Sequence, residues 1–482
     1  MGAKPAARGV SVNLMDRPSV SLLCVFLFWA SLLILGYSIL YRPLNRDEYE
    51  HLYSSYLMVH GQIPYRDFFQ HHHFLSWLLL APVIKSFSDT PCLLYIARIL
   101  PLCAILATVF YTYKISILKG GDKKSVFLFV TVLLSIDIVV RSGLLVRPDM
   151  FMVAAFFSGL YYYIIYLKDK NIFSLVLSFL LLFVSFLFLQ KAVFLLFGFC
   201  ICAIYHLYKR EFLLRDFLTA LALPLFLLVC LLYFMLKEHV LVDYVELNWL
   251  FNFMIPLEYG KILVKPPLIF CSISLIVAEI GIIKRARFQF TSIIFLIFCM
   301  FFVVLPTPHW QYYLPVFPFI VITLSSSFSL IQDRKSKNAI VVLLLLLVVF
   351  NAGLNIYNFL FVKTNACVKR EYDIVLHVTG EDEEILGSHE ICPVRRDALG
   401  YYGHILELCQ LENTHFSRGK ELYDIPDLIM KKTPKVLWDG LVEERFDDDG
   451  FKAYIAQNYV KICRLYVARS IPPEKYQNDL AR

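Results

Sequence analysis

Two adjacent acidic residues, Asp47 and Glu48, come directly after the first long apolar stretch of the chain. A carboxylate held at a membrane surface can serve as a general base, a role that contributes about 10²–10⁴-fold to a rate. On a helix over residues 47–60, Asp47, His51 and Ser54 would share one face at positions i, i+4 and i+7. The apolar residues of another face are Leu52, Tyr53, Tyr56 and Leu57. An ordinary membrane-interface helix capped by Asp47 explains the same pattern, so both interpretations stay open.

A second polar cluster lies in residues 61–74, where a Gly-x-x-Pro turn signal precedes Arg66, Asp67 and three consecutive histidines. Adjacent side chains diverge on a helix, so at most two of the three histidines would reach one ligand. The run lacks the spacing of helical metal ligands and is a poor metal site by itself. A mixed site of one carboxylate and one histidine is more plausible, with Glu48 and His72 as candidate ligands of a divalent metal.

Arg147 and Lys191 are basic residues at the ends of apolar stretches, where each could hold an anionic group. Arg147 can bind a phosphate through two hydrogen bonds, although a simple pair with Asp149 explains it equally well. Lys191 either holds an anionic lipid headgroup or extends its side chain to the membrane surface. A further polar segment contains His309, Tyr312 and Tyr313. Its aromatic residues are also typical of a membrane-interface belt.

The composition indicates a membrane protein, whose helices would position the polar clusters described above. Of the 482 residues, 59% are hydrophobic and 18% are charged, whereas soluble domains are about 45–50% apolar and about 25% charged. This excludes a disordered chain, a collagen-like fibre and a small disulfide-rich domain, and it disfavours a soluble multidomain enzyme. The net charge of +7 needs no nucleic-acid partner, because basic cytoplasmic loops account for it. The sequence lacks the phosphate-binding and hydrolase motifs of soluble enzymes.

Eleven apolar stretches are long enough to be considered as transmembrane helices. The candidate spans are about 20–41, 92–113, 125–140, 150–167, 172–189, 192–208, 217–236, 267–283, 290–305, 312–331 and 339–361. Lys and Arg are denser in alternate connecting segments, beginning with residues 1–19, which predicts a cytoplasmic N-terminus. With eleven spans, the C-terminal tail would lie outside.

Two segments depart from this membrane pattern. Residues 42–91 form a long first outer loop of the membrane module 1–361, and residues 362–482 are polar enough to form a water-soluble domain. In that domain, 384–388 and 435–438 are predicted strands, and 427–432 and 451–455 are predicted helices, as in a small α/β unit. Its cysteines are Cys367, Cys392, Cys409 and Cys463. An oxidising compartment would allow one or two disulfides there, but the sequence does not give the pairing.

Together these motifs resemble the GT-C-fold membrane glycosyltransferases. The nearest branch comprises the protein O-mannosyltransferases and the lipid A aminoarabinose and galacturonic acid transferases, of the glycosyltransferase family 39 and 83 types. The matching elements are Asp47-Glu48, the stretch Gly61-x-x-Pro64-Tyr65-Arg66-Asp67-Phe68, His71 and His72, Arg147-Pro148-Asp149, Lys191, His309-x-x-Tyr312-Tyr313, and the soluble tail. The resemblance implies an all-α polytopic GT-C-like fold with a small extracytoplasmic α/β domain.

The resemblance also implies an activity and a role for each motif. A sugar carried on a polyprenyl phosphate would pass to a hydroxyl of an envelope lipid, glycan or protein on the outer face of the membrane, with inversion. Asp47 would be the base, and Glu48 would orient the acceptor or help a metal. The candidates for binding the donor phosphate are Arg147, Lys191, His309 and Tyr312. The candidates for acceptor binding or support are Arg66, Asp67, His71, His72, Asp149 and Tyr313.

No cofactor is required by this chemistry, and a divalent metal is compatible with it. The expected location is a bacterial-type inner membrane. A transporter or flippase of lipid-linked saccharides is the alternative, but it should carry charges or broken helices near the middle of the bilayer. The sequence leaves open the sugar, the acceptor, the metal dependence, the disulfide pairing, the oligomeric state and the organism.

Overall fold

Long apolar stretches of the chain fold into α-helices, and the polar segments between them form shorter helices and turns. The computed structural model describes residues 14–254, 291, 294, 310–361, 365–402 and 424–477. Up to residue 254 the helices are α1 Pro18–Tyr41, α2 Arg46–Val59, α3 Leu75–Phe87, α4 Cys92–Ala97, α5 Ile99–Leu118, α6 Lys123–Ser135, α7 Asp137–Gly143, α8 Pro148–Asp169, α9 Ile172–Phe188, α10 Ala192–Tyr208, α11 Leu214–Lys237, α12 Leu241–Val245 and α13 Phe251–Met254. Later come α14 Val316–Leu330, α15 Arg334–Phe361 and α16 Ala366–Val378.

Six helices of the described residues are long and apolar enough to cross a membrane. They are Pro18–Tyr41, Cys92–Leu118, Pro148–Asp169, Leu214–Lys237, Gln311–Leu330 and Arg334–Asn358. The predicted spans 172–189 and 192–208 form the shorter apolar helices α9 and α10. The predicted spans 267–283 and 290–305 lie outside the described residues, except for Thr291 and Ile294. The polytopic membrane class is confirmed, while the number of eleven spans stays a prediction.

The predicted span 125–140 is broken rather than continuous. Helices α6 and α7 meet at a bend of 55° next to Ile136. Asp137 then begins α7, and its carboxylate lies 3.7 Å from the guanidinium of Arg42. A charged group at membrane depth is costly unless it is paired. The bend therefore brings Asp137 to a cation that lies just beyond the end of α1.

Helices α8 and α9 run antiparallel and approach closely at Gly159. A Cβ atom at this position would lie 2.9 Å from Cγ of Leu182 and 3.0 Å from the carbonyl oxygen of Ser178. Small residues permit such close approach of membrane helices. The start of α8 and the end of α9 consequently lie at the same end of the pair, which brings Arg147 and Lys191 to one side of the molecule.

The C-terminal unit is a small α/β structure, as predicted. Strands β1 Glu384–Ile385 and β2 Arg396–Asp397 pair in parallel. Strands β3 Val436–Trp438, β4 Tyr459–Ile462 and β5 Leu465–Ala468 form an antiparallel sheet of order β3-β5-β4. The helices of the unit after α16 are α17 Ser388–Ile391, α18 Ile425–Lys432, α19 Asp439–Glu443, α20 Asp449–Asn458 and α21 Glu474–Gln477. The predicted helices 427–432 and 451–455 fall within α18 and α20, and the predicted strand 435–438 contains β3. The predicted strand 384–388 is too long, because β1 ends at Ile385 and Ser388 begins a helix. The β4–β5 hairpin was not predicted.

The apolar stripe of α2 packs against the C-terminal unit and not against the membrane surface. Its residues Leu52, Tyr53, Tyr56 and Leu57 are buried in one cluster with residues of α16 and of the C-terminal strands. The backbone N–H of Asp397 also donates to the Tyr53 hydroxyl at 3.0 Å. The interfacial placement expected for this stripe is thus corrected, because the aromatic side chains have protein partners. Helix α2 is held between the membrane helices and the C-terminal unit.

Candidate active site

Asp47 lies in the first turn of α2, which a local cap fixes. The side chain of Asn45 accepts from the backbone N–H of Asp47 at 3.1 Å, and Glu48 accepts from the backbone N–H of Asn45 at 2.9 Å. This reciprocal arrangement is a capping box, which sets where a helix begins. The carboxylate of Asp47 is about one-third exposed, so it lies at the edge of the site and remains accessible.

The guanidinium of Arg147, the residue directly before α8, connects an acid of α2 with an acid of α8. One terminal nitrogen donates to Asp47, and Nε donates to Asp149 Oδ2 at 3.1 Å. The side chains of Arg147 and Asp149 are 8% and 3% exposed. Burial acts to raise the pKa of Asp47, but the positive charge of Arg147 outweighs it and holds that pKa below its usual value. Asp47 is therefore ionised at neutral pH.

Glu50, which the sequence analysis did not select, is a second carboxylate on the side of α2 that carries Asp47. The amide of Gln70 donates to Glu50 Oε1 at 3.1 Å and to the Ser54 hydroxyl at 2.9 Å. Burial, together with the negative charge of Asp47, raises the pKa of Glu50 to about 7. The position of Glu50 three residues after Asp47 was the available signal, since i and i+3 lie on one side of a helix.

The loop that carries His71 and His72 is fixed through its backbone. The carbonyl oxygen of His71 accepts from the side-chain amides of Gln190 at 3.0 Å and Asn252 at 2.9 Å. The carbonyl oxygen of His72 accepts from the Tyr65 hydroxyl at 2.7 Å. These bonds leave the imidazole rings to face α2.

The histidine rings of this cluster are neutral. The ring centroids of His71 and His72 lie 4.2 Å apart, and those of His72 and His51 lie 5.2 Å apart. Burial lowers the pKa of His71 to about 4, helped by the positive charges of Lys191 and Arg147. Burial likewise lowers the pKa of His51 to about 3. Neutral imidazoles can accept a proton or a hydrogen bond and can bind a metal.

His73 has a different environment from its two neighbours. Its Nδ1 lies 2.7 Å from the carbonyl oxygen of Phe186, and its Nε2 lies 2.9 Å from the Tyr244 hydroxyl. Both ring nitrogens are thereby used, so His73 joins the loop to the end of α9.

Lys191 completes a positively charged side of the site. Its ammonium lies 3.4 Å from the ring centroid of Tyr312, a cation–π contact. Its positive charge and that of Arg147 both lower the pKa of His71, so the two predicted phosphate-binding cations are both near enough to act on this imidazole. Tyr313 is buried in the neighbouring apolar core. The predicted ligand His309 lies outside the described residues.

Glu48 is placed differently from the prediction, which gave it a role in acceptor or metal binding. Its two carboxylate oxygens accept from the guanidinium of Arg98 at 2.8 and 2.6 Å, and both side chains are fully buried. The backbone N–H of Val146 donates to the same carboxylate at 3.2 Å. These bonds join the start of α2 to the junction between α4 and α5 and to the loop before Arg147. Arg98 was also missed, although an arginine within an apolar stretch is itself a signal.

Arg66 and Asp67 are likewise used within the protein. The guanidinium of Arg66 donates to both oxygens of Asp67, at 2.9 and 3.0 Å, and to Glu238 at 3.2 Å. Asp67 also accepts from the backbone N–H of Ile63 at 2.8 Å. The pair closes the turn before the histidines and connects it to the end of α11. The structure does not bring these two side chains to Asp47.

Three ligand groups of this site could hold a divalent metal. A carboxylate oxygen of Glu50 and ring nitrogens of His71 and His72 lie within 4.8 Å of one another. Nδ1 of His72 is buried and has no hydrogen-bond partner among the residues that the structure describes. The donor set and this unpaired nitrogen fit a metal such as Zn²⁺, which favours imidazole and carboxylate ligands. Glu50 thus takes the place that the sequence analysis gave to Glu48.

The described fold is that of the GT-C membrane proteins, which confirms the predicted class. The crystal structure of ArnT from Cupriavidus metallidurans in the apo state matches 93% of this chain and 98% of its own, with a TM-score of 0.63 at 13% identity. ArnT bound to undecaprenyl phosphate matches 73% of this chain and 69% of its own, with a TM-score of 0.52 at 16% identity. The apo oligosaccharyltransferase of Archaeoglobus fulgidus matches 80% of this chain and 64% of its own, with a TM-score of 0.50 at 10% identity. No family model and no curated protein sequence matches the chain.

Proposed function

We propose that this protein is an integral membrane glycosyltransferase. It transfers a sugar from a polyprenyl-phosphate donor to a hydroxyl of an envelope acceptor, with inversion at the anomeric carbon. The observation that carries the proposal is the guanidinium of Arg147 between Asp47 and Asp149, with the charge of Lys191 acting on the nearby His71. The likeness to ArnT, which has been crystallised with undecaprenyl phosphate, supports a lipid phosphate as the leaving group.

Asp47 is the proposed general base. Its carboxylate takes the proton of the acceptor hydroxyl while the hydroxyl oxygen attacks the anomeric carbon of the sugar. The bond from that carbon to the phosphate oxygen breaks, and its electron pair stays on the lipid phosphate. Because Arg147 lowers the pKa of Asp47, a donor phosphate that engages the guanidinium would make the carboxylate a stronger base. Donor binding would thus activate the base.

Arg147 and Lys191 are the proposed binding groups for the donor phosphate. Two preorganised cations aimed at the developing charge stabilise the leaving group without protonating it. Tyr312 positions Lys191 through the cation–π contact. His309 stays a predicted hydrogen-bond donor to the same phosphate, and Asp149 orients Arg147.

The remaining residues are proposed as supports or as metal ligands. Glu48 positions the start of α2 through its pair with Arg98. Arg66 and Asp67 shape the histidine turn. A divalent metal, if used, would be held by Glu50, His71 and His72. When bound it would supply positive charge to the phosphate, and the proton transfer by Asp47 does not require it.

We propose a bacterial-type inner-membrane location, with the N-terminus in the cytoplasm and the unit 362–482 outside. The density of Lys and Arg in alternate loops supports this orientation. Asp47 lies in the first turn of α2, shortly after α1 ends, and Arg147 directly precedes α8, so both are close to the end of a candidate membrane helix. The break between α6 and α7 at Asp137 is a feature that a transporter of lipid-linked saccharides would also carry, so transport stays the alternative. The contact of Arg147 with Asp47 supports transfer as the first proposal.

The test compares envelope lipids and glycans by mass spectrometry in cells with the gene, without it, and with variants. We expect one glycosylated species to disappear without the gene and to stay absent with Asp47→Asn, because loss of the base costs about 10²–10⁴-fold in rate. The control Asp89→Asn changes an exposed acid outside the site and should restore the product. Restoration by Asp47→Asn at wild-type level would contradict the proposed base.

A further inference from the structure

Two cysteines of the C-terminal unit come together although they are far apart in the chain. Cys367 lies in the first turn of α16, and Cys463 lies in the turn between β4 and β5. Their sulfur atoms and a carboxylate oxygen of Glu371 lie within 4.8 Å of one another. Both cysteines are exposed, so a soluble reagent can reach them. The sequence alone could not select this pair from the cysteines of the tail.

An ion pair between a buried carboxylate and a partly exposed arginine holds the two elements in this register. The carboxylate of Glu371 is fully buried and accepts from the guanidinium of Arg464 at 2.5 Å. It also accepts from the backbone N–H of Arg464 at 3.1 Å. Since Arg464 directly follows Cys463, and Glu371 lies one helical turn after Cys367, the pair fixes each cysteine opposite the other.

The backbone at Cys463 is unusual for a residue with a side chain. Cys463 has a φ of 55° in the two-residue turn between the paired residues Ile462 and Leu465. Glycine and asparagine are the residues that usually occupy such positive-φ positions in hairpin turns. The backbone disfavours a side chain at this position, yet it directs the Cys463 thiol to Cys367 and Glu371.

The same geometry argues against a metal at this cluster. Both oxygens of Glu371 are already engaged by Arg464. Burial, the hydrogen bond with Cys463 and the charge of Glu371 raise the pKa of the Cys367 thiol to about 12. Metal binding requires thiolates and an available carboxylate. Because Arg464 already engages Glu371, the two exposed thiols are better suited to forming a disulfide than to binding a metal.

We propose that Cys367 and Cys463 form a disulfide in the mature protein. One thiol, as its thiolate, attacks the active-site disulfide of a dithiol–disulfide oxidoreductase and forms a mixed disulfide with it. The second thiol then attacks the first cysteine of the pair and releases the oxidoreductase. The two thiols lose two protons and two electrons, and the oxidoreductase leaves as its dithiol. The proposal rests on the extracytoplasmic location of this unit, since disulfides persist in oxidising compartments.

The bond would secure the part of the molecule from which α2 starts. Asn365 lies two residues before Cys367, and its side-chain amide donates to the carbonyl oxygen of Arg42 at 2.7 Å. Its side-chain oxygen accepts from the backbone N–H of Leu44 at 3.0 Å. A disulfide at Cys367 therefore ties the hairpin to the junction between α1 and α2, which precedes Asp47.

The test uses the full-length protein in its membrane. Free thiols are blocked with N-ethylmaleimide before extraction, and the peptides are analysed by mass spectrometry without reductant. We expect one linked pair that contains Cys367 and Cys463, lighter by two hydrogens than the sum of its peptides. Reduction should release both peptides. The buried Cys392 is the internal control and should remain outside this linked pair.

Variants and compartment labelling separate the outcomes. In Cys367→Ser, the freed Cys463 should react with a membrane-impermeant maleimide added to intact spheroplasts, whereas in the wild-type protein it should not. Two free thiols that react from outside in the wild-type protein would overturn the disulfide but not the topology. Two free thiols that react only after permeabilisation would overturn both. Linkage to Cys392 or Cys409, or thiols released by a zinc chelator, would also overturn the proposed pair.

Discussion

Glu48→Gln tests whether the acid next to the proposed base stabilises the fold or takes part in the reaction. Arg98 makes five hydrogen bonds, two of them to Glu48 and the others to the backbone carbonyl groups of Ile39, Arg42 and Pro43. The side chains of Arg98 and Glu48 are 1% and 0% exposed. Removing one charge of such a pair leaves the other buried and uncompensated, at a cost of about 3–5 kcal/mol.

The assay is thermal unfolding of purified protein in detergent, read together with transfer activity per folded molecule. For a cooperative unit of about 150–250 residues, that loss corresponds to a fall in Tm of about 6–20 °C. The double variant Glu48→Gln/Arg98→Met removes both charges and should recover part of the loss. Glu444→Gln is the matched control, because Glu444 lies on the surface at 67% exposure and should leave Tm unchanged.

The opposite pattern would refute the structural role of Glu48. If Glu48→Gln unfolds at the wild-type temperature but loses transfer, the carboxylate acts on the substrate, as the sequence pattern predicted. If folded Glu48→Gln molecules keep most of their activity while their Tm falls, the residue supports α2 and Asp47 alone performs the base step.

Three further predictions concern the phosphate-binding and metal-binding groups. Lysine lacks the planar guanidinium that contacts both Asp47 and Asp149, so we expect the initial rate of Arg147→Lys to fall about 10²–10³-fold. The acid limb of its pH–rate profile should move to higher pH, because the pKa of Asp47 rises when Arg147 is lost. Lys191→Gln should raise the donor KM about tenfold, with partial recovery in Lys191→Arg, as measured by initial rates against donor concentration. The affinity for Zn²⁺, measured by chelator competition, should fall about tenfold from pH 8 to pH 6. The reason is that Glu50 has a pKa of about 7 and must be deprotonated to bind the metal. Glu50→Gln should remove this pH dependence.

Much of the fold could be predicted because a sufficiently long apolar stretch in the sequence indicates a membrane helix. The stretches 20–41 and 339–361 satisfy that criterion and fall within α1 and α15. The break between α6 and α7 could not be predicted from apolar length, since it depends on Asp137 meeting Arg42 from another helix. The β4–β5 hairpin was missed because each strand has only four residues, too few for a clear alternating pattern.

The candidate site could be predicted in part, because residue types and helical spacing are visible in a sequence but long-range partners are not. The sequence predicted Asp47, Arg147 and Lys191 as groups of one site; Arg147 contacts Asp47, and all three charges act on the pKa of His71. It could not reveal that Glu48 meets Arg98, because that pair depends on how α2 lies relative to the junction between α4 and α5. The role of the aromatic stripe of α2 depends in the same way on the position of the C-terminal unit.

Neighbouring positions on one helix explain how two adjacent acids acquire opposite environments. Consecutive side chains on an α-helix point about 100° apart, so Asp47 and Glu48 cannot face the same partner. Glu48 points to Arg98 inside the protein, and Asp47 points to Arg147 at the edge of the site. Positions i+3 and i+4 from Asp47 return to its side of the helix and bring Glu50 and His51 toward the histidine loop. The capping box of Asn45 sets where this helix begins, so a change of register at that cap would alter the environments of both acids at once.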